Sequence, residues 1–325
     1  MSMKSLEAVS RKNLGTTKLQ IAPLALGGNV FGWTADEASS FAVLDAFLDR
    51  GYNLIDTADM YSRWIPGNVG GESETILGKW FAQDPSRREK IVLATKVGVE
   101  MGEGMKGLSA RYIRKAVEDS LRRLQTDYLD LYQSHSDDPN TPLDETLQMY
   151  DELVSAGKVR YIGASNYKAP RLRQAMETSR RENLVSYVTH QPHYNLYTRA
   201  EYEGDLAAVV EEYKLAVLPY FALASGFLTG KYRTRQEASG ANRGAFLEQY
   251  FDARGERILA ALARVSEQTG EAQGSIALAW LMAKPNIAAP IASATSVGQM
   301  DVLFRGVEMV LDAEHVKALD NASAA

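Results

Sequence analysis

The chain contains no cysteine. Disulfides, thiolate nucleophiles and cysteine-bearing metal sites are therefore excluded. Histidine is scarce, with four in the chain, and His190 and His193 alone stand at a metal-like spacing. No third ligand accompanies them, so both are read as structural and no metal is expected. There is no basic stripe, and a net charge of −5 with a pI near 5.6 argues against a nucleic-acid partner. The longest apolar run, residues 276–283, is far too short to span a bilayer. Residues 1–11 are polar and lack the apolar stretch of a signal peptide. The expectation is a soluble, cytoplasmic protein without a membrane partner.

What is present is an ordinary globular balance. The 325 residues are 45% hydrophobic and 24% charged, enough for a substantial core. Short strand-like runs alternate with amphipathic helical ones. Strands are expected at 24–26, 53–55, 91–94, 128–132, 159–162, 188–190, 216–218 and 287–289. Helices are expected between them over 36–50, 111–124, 143–156, 171–181, 204–213, 255–269 and 275–284, with Asp36 as an N-cap. Eight such repeats predict a parallel sheet closed into a (β/α)₈ TIM barrel, read as one domain over 1–325. An open doubly wound sheet is disfavoured because no Gly-x-Gly-x-x-Gly follows an early strand. Residues 14–19 read as a tight hairpin that would plug the N-terminal end of the barrel. Residues 230–251 read as a long loop, the kind that serves as a lid.

In such a barrel the chemistry belongs at the C-terminal strand ends. The second strand is followed by Asp56-Thr57-Ala58-Asp59-Met60-Tyr61, the third by Thr95-Lys96 and the fourth by Gln133-Ser134-His135. Taken singly, Asp56 is as good a helix cap, Lys96 a surface lysine, and Tyr61 and His135 packing residues. Together they suit proton transfer to a carbonyl oxygen. A tyrosine hydroxyl titrates near ~10, and a neighbouring ammonium is expected to lower that value. A carboxylate would hold the lysine charged, and a histidine would orient the carbonyl.

These segments, with Asp130-Leu131-Tyr132-Gln133-Ser134-His135 complete, resemble the catalytic segments of the aldo-keto reductase family, in its bacterial and potassium-channel beta-subunit-like branch. The resemblance implies a tetrad of Asp56, Tyr61, Lys96 and His135, with Tyr61 the proton donor and hydride delivered from NADPH. It runs along almost the whole chain. Ser165 and Asn166, in Val159-Arg160-Tyr161-Ile162-Gly163-Ala164-Ser165-Asn166, would hold the nicotinamide carboxamide with Gln191, and Tyr220 would stack on the ring. The stretch Tyr220-Phe221-Ala222-Leu223-Ala224-Ser225-Gly226-Phe227-Leu228-Thr229-Gly230-Lys231 resembles the pyrophosphate loop, with Lys231 adding a charge. Arg243 is similar to an arginine that covers the cofactor. Ser293, Thr295 and Gln299 fall in the adenosine-phosphate segment. Here the chain departs from its family. Many members have a lysine or arginine where Ser293 or Gln299 stands, and Glu-Asn where Val302 and Leu303 stand. That leaves NADH open as a second donor.

The substrate is expected to be a small carbonyl compound, with Asn29, Phe31, Trp33 and Trp64 as pocket walls suited to aromatic or aliphatic groups. Two other readings compete. One is a barrel lyase using Lys96 as a Schiff base. The other is a regulatory protein like the channel beta subunits, keeping the fold and cofactor. Oligomeric state is not legible.

Overall fold

The computed structural model describes residues 9–241 and 244–324. Two short strands, β1 (Lys12–Asn13) and β2 (Gln20–Ile21), form an antiparallel hairpin. Eight parallel strands follow: β3 (Ala25–Gly27), β4 (Leu54–Asp56), β5 (Val92–Val97), β6 (Leu129–Ser134), β7 (Val159–Ser165), β8 (Tyr187–Gln191), β9 (Ala216–Val217) and β10 (Ile291–Ala292). They pair in sequence order, and β10 returns to lie beside β3. A parallel bridge from Val217 to Ile287 joins the last edge, completing the (β/α)₈ barrel.

The eighth strand lies beyond its expected position. Residues 287–289 contribute one bridge, whereas the ladder with β3 is made by Ile291 and Ala292. Pro290 interrupts the run because it has no N–H to donate, though its carbonyl accepts from the Ala25 amide.

The helices are α1 (Glu37–Asp49), α2 (Glu72–Gln83), α3 (Ser86–Lys90), α4 (Ala110–Leu124), α5 (Leu143–Ser155), α6 (Ala169–Glu182), α7 (Asp205–Glu212), α8 (Arg235–Ser239), α9 (Gly244–Leu247), α10 (Ala253–Thr269), α11 (Gln273–Met282), α12 (Met300–Glu308) and α13 (Ala313–Ser323). Local chemistry starts them where it was expected. Asp36 accepts from the Ser39 amide at 2.8 Å, and Ser109 caps α4 in the same way. In α4 the buried residues Ile113, Ala116, Val117, Ser120, Leu121 and Leu124 recur at helical spacing and face the sheet. The segment expected as a loop over 230–251 instead contains α8, α9 and a 3₁₀ turn over Glu248–Tyr250. These are one-turn pieces, too short for their periodicity to show in sequence.

Two apolar cores result. One lies between the sheet and its helices. The other fills the lower barrel: Ala25, Leu54, Val92, Ala94, Leu131, Ala216 and Leu218 meet Leu14, Leu19 and Ile21 of the hairpin. The hairpin therefore seals the N-terminal end, and Gly15 brings its backbone against Ala216 and the Val188 carbonyl. Each buried leucine contributes roughly 1.5–3 kcal/mol. No helix among the described residues is long and apolar enough to cross a membrane.

Candidate active site

The inward face of each strand alternates with the outward one, so residues two apart share the barrel interior. Above the apolar layer the same face turns polar: Asp56 on β4, Lys96 on β5, Gln133 on β6, Ser165 on β7 and Gln191 on β8. Lys96 Nζ is 2.6 Å from Asp56 Oδ2, donates to the Thr57 carbonyl at 2.9 Å, and donates to the Tyr61 hydroxyl at 2.8 Å. Both members of the ion pair are fully buried. The other carboxylate oxygen, Asp56 Oδ1, accepts from Gln191 Nε2 at 2.9 Å and Gln133 Nε2 at 3.1 Å. Asp56 is thus no helix cap. With a longer bond of 3.4 Å from the Tyr61 hydroxyl to Asp56 Oδ2, six contacts bind the pair into place, which a buried charge requires if its desolvation is to be offset.

Gln133 was not anticipated as a site residue. Its room is made by Gly163 on the neighbouring strand, where a Cβ would lie 3.0 Å from Gln133 Cγ. Behind Lys96 stands a second unanticipated group. Glu74 of α2 is buried, accepts from Thr95 Oγ1 at 2.6 Å and pairs with Arg123 Nε at 2.7 Å. Asp59 is also buried, and neither carboxyl oxygen makes a well-aligned hydrogen bond, although the Met60 amide leans toward it. Burial and then the Glu74 charge push its carboxyl well above the usual range. The signal available in sequence was a glutamate on the apolar face of a helix.

Tyr61 follows β4 and its ring lies edge-on to His135, with centroids 6.0 Å apart, and to Trp64 at 6.1 Å. The expectation that Lys96 lowers the tyrosine pKa is reversed. Burial, and after it the Asp56 carboxylate, hold the Tyr61 hydroxyl well above its ordinary value. The ammonium is already matched by Asp56, so the pair presents little net charge to the phenol. For Lys96 itself burial pulls the pKa down while Asp56 opposes it. His135 opens onto the cavity but is enclosed by protein, and this burial, with Lys96 second, keeps its imidazole neutral well below the usual value. Its Nδ1 has no hydrogen-bond partner.

A cavity of about 790 Å³ opens above these groups. It is lined by Tyr61 and His135, by Ser165, Asn166, Gln191 and Tyr220, by Phe221, Ala222, Leu223, Ser225, Gly226 and Lys231, and by Ser293, Thr295 and Gln299. Asn29, Trp33 and Trp64 line it as well. Phe31, Ala224, Asp56 and Lys96 do not. Phe31 is wholly buried in the sheet–helix core, where its carbonyl accepts from Ser62, and Ala224 is turned inward beneath its loop. Lys96 is also absent from the lining, hidden behind Tyr61. Arg243 lies outside the described residues.

The residues expected to hold a cofactor are pre-arranged by one another. Asn166, at a φ of 58°, donates to the His135 carbonyl at 2.9 Å and accepts from the Tyr220 hydroxyl at 2.8 Å. Ser165 Oγ donates to the Gln191 carbonyl at 2.9 Å. Tyr220 is backed by His193, stacked at 5.2 Å. His190 points outward, with Nε2 3.2 Å from the Tyr167 carbonyl, and burial lowers its pKa to about 4. The two histidines therefore sit in different environments, and among the described residues no three candidate ligands converge on a metal position. Along the 3₁₀ turn over Ala224–Thr229, Ser225 and Gly226 both take positive φ, which turns backbone toward the cavity. At the far end Gln299 Oε1 accepts from the Thr295 amide at 2.9 Å, and Val302 and Leu303 add apolar surface. This shape and donor set fit an elongated nucleotide.

The chain is similar to known proteins along nearly its whole length. The sequence profile of the aldo/keto reductase family matches residues 23–324. The chain is 36% identical over 315 residues to the uncharacterized oxidoreductase YrpG of Bacillus subtilis, covering 95% of this chain and 94% of that one. It is 30% identical over 319 residues to the aldo-keto reductase YhdN of the same organism, covering 96% and 92%. It is also 30% identical over 318 residues to a probable voltage-gated potassium channel subunit beta of Oryza sativa, covering 95% and 90%.

Proposed function

The chain belongs to the aldo/keto reductase family of oxidoreductases, and on that premise we propose that it reduces aldehydes or ketones to alcohols, with NADPH as the donor and NADH as the second choice. One observation carries the reading. The Tyr61 hydroxyl, at the floor of the cavity, accepts a hydrogen bond from a buried ammonium 2.8 Å away that is itself neutralised by Asp56. The same cavity is lined by Ser165, Asn166, Gln191 and Tyr220, which would hold the nicotinamide, by Ser225, Gly226 and Lys231, which would meet the phosphates, and by Thr295 and Gln299, which would meet the adenosine end.

When bound, the dihydronicotinamide would supply a hydride to the carbonyl carbon. The protein's part is the proton. Tyr61 accepts from Lys96 at 2.8 Å and donates to Asp56 Oδ2 across a long 3.4 Å, so its proton has a weak bond to leave when it turns toward a carbonyl oxygen in the cavity. Neutral His135 hydrogen-bonds that oxygen and orients it. As the proton leaves, the phenolate is stabilised by the Lys96 ammonium, whose charge then has work that Asp56 alone did not give it. The raised pKa of Tyr61 keeps the acid protonated at neutral pH, as a donor must be.

The lyase reading is disfavoured by Lys96 itself, which is held by three partners and does not reach the cavity. The test is oxidation of NADPH and NADH against a panel of carbonyls by wild type and Tyr61→Phe, with nucleotide affinity measured separately by fluorescence titration. Lost reduction with retained nucleotide binding supports the proposal. Normal turnover by Tyr61→Phe overturns it.

A further inference from the structure

Outside the cavity, Lys96 has a second set of neighbours, and among them is an acid that no step above uses. Asp59 is 2% exposed, in the loop that leads from β4 to Tyr61. Its backbone is pinned on both sides. The Asp59 amide donates to the Lys96 carbonyl at 3.3 Å, and its own carbonyl lies 3.3 Å from the position a Cβ would take on Gly70. Gly70 and Gly71 both take positive φ, and a Cβ on Gly71 would meet Arg123 Cδ at 2.4 Å. The chain therefore returns to α2 close over Asp59 and against α4.

The charges in this block do not balance if every group is ionised. Asp56 is matched by Lys96 at 2.6 Å, and Glu74 by Arg123 at 2.7 Å. Asp59 would be a third carboxylate against two cations. Among the described residues neither of its oxygens has a well-aligned donor. An enclosed carboxylate with neither counter-ion nor donor sheds its charge by keeping its proton. Burial and then the Glu74 charge act in that direction, and they outweigh Arg123, the Met60 amide and Lys96, which oppose it. The other titratable groups around Asp59 are phenols: Tyr61 on its own loop, Tyr112 of α4, Tyr132 of β6 and Tyr150 of α5. Burial holds all four above their ordinary value, so they add no charge at neutral pH.

We propose that Asp59 is carried as a neutral acid and is a positioning residue for Lys96, one that sets the alkaline limit of reduction. The inference rests on the carbonyl-reductase reading above. While Asp59 is neutral, the Lys96 ammonium answers Asp56 and Tyr61 alone. When alkali removes the proton, a buried anion is added beside the ion pair. It opposes the phenolate that forms as Tyr61 gives up its proton, and it draws on the same ammonium. Reduction then slows.

The test pairs wild type with Asp59→Asn, which has nearly the same shape and no proton to lose. The unfolded chain releases the Asp59 proton near 3.8, whereas the fold keeps it to higher pH. Wild-type stability therefore falls as pH rises from 3.8 toward the folded value. Denaturant melts without nucleotide should show the variant gaining on wild type as pH rises from about 4 to about 8. In kcat against pH, with a carbonyl that wild type reduces, the alkaline limb of Asp59→Asn should lie about one unit above that of wild type. Infrared spectra of wild type alone should carry a protonated-carboxyl C=O stretch at neutral pH that disappears in alkali. A stability gap that does not change with pH, or the lack of that stretch, means that Asp59 is ionised and overturns the proposal. Coincident alkaline limbs, with the stability gap as expected, overturn the positioning role while the reductase reading stands. If wild type reduces no carbonyl with either nucleotide, the reductase reading fails and the role of Asp59 in it fails too.

Discussion

The two ends of the barrel interior are built on the same strands and the same inward face, yet they do opposite things. Below, Leu54, Val92 and Leu131 close on Leu14, Leu19 and Ile21 from the hairpin. Above, two residues beyond Leu54, Ala94 and Leu131 on the same strands, stand Asp56, Lys96 and Gln133. The lower end is apolar and sealed, and the upper is polar and open to a cavity. The difference teaches why a buried lysine is tolerated. Its carboxylate rests on a rigid dry floor, and Gln133 and Gln191 approach from strands whose lower residues are locked together. Polar preorganisation at the top depends on close packing beneath it.

Removing the proposed proton donor should break the upper end alone. Tyr61→Phe is expected to lower kcat by about 10²–10⁴-fold, with a stability change of only about 1–2 kcal/mol for the lost bonds to Lys96 and Asp56. Steady-state kinetics and thermal melts on the same preparation separate the two. Lys96→Met attacks both function and fold. It strands a buried carboxylate, so denaturant unfolding should show a loss of about 3–5 kcal/mol along with lost turnover. A fully stable Lys96→Met protein would mean that the buried ion pair adds nothing to the stability of the fold.

The lower end should break in the converse manner. Leu131→Ala is expected to cost about 2–5 kcal/mol in unfolding free energy while kcat at 25 °C stays near wild type. A large fall in kcat without destabilisation would show that the floor is not independent of the site.

Acid should act on the outward face of the strands. His190, on β8, has an unfolded value of 6.5 and a folded value of about 4. Between these two the unfolded chain binds a proton that the native state refuses, so stability falls as pH drops from about 6.5 to about 4 and no further below. The loss is at most about 3 kcal/mol at ~1.4 kcal/mol per unit. His135, also lowered, acts in the same direction. Melting curves of wild type and His190→Asn at pH 7 and 4.5 test this, and the gap between the two pH values should narrow in the variant. The smallest effect belongs to a helix end remote from both layers. Asp36→Ala should cost about 1 kcal/mol through the lost bond to the Ser39 amide and leave turnover unchanged, as a urea titration can measure.

Much of this was legible in the chain. That Asp56, Tyr61, Lys96 and His135 lie near one another could be read because they follow apolar strand cores, and strand order alone brings successive tips together. The hairpin and the Asp36 cap were readable because turn and cap chemistry are local. The misses have a common physical origin in side-chain direction. Phe31 and Trp33 are two residues apart, but the positive φ of Gly32 between them sends one into the core and leaves the other in the cavity. Ala224 is turned away within a loop of similar torsions. The eighth strand slipped past Pro290 because a bridge and a ladder look alike in a short apolar run.

By itself the sequence determined the eightfold alternation, the plug, and which residue types crown which strands, since periodicity and position are properties of the chain. Only the tertiary structure decided how those residues act on each other. It put Asp56 between Lys96, Gln133 and Gln191, hid Lys96 from the cavity, and raised rather than lowered the Tyr61 pKa. Each of these depends on distance and desolvation between segments far apart in sequence, and Coulomb interaction and burial have no value until the fold sets them.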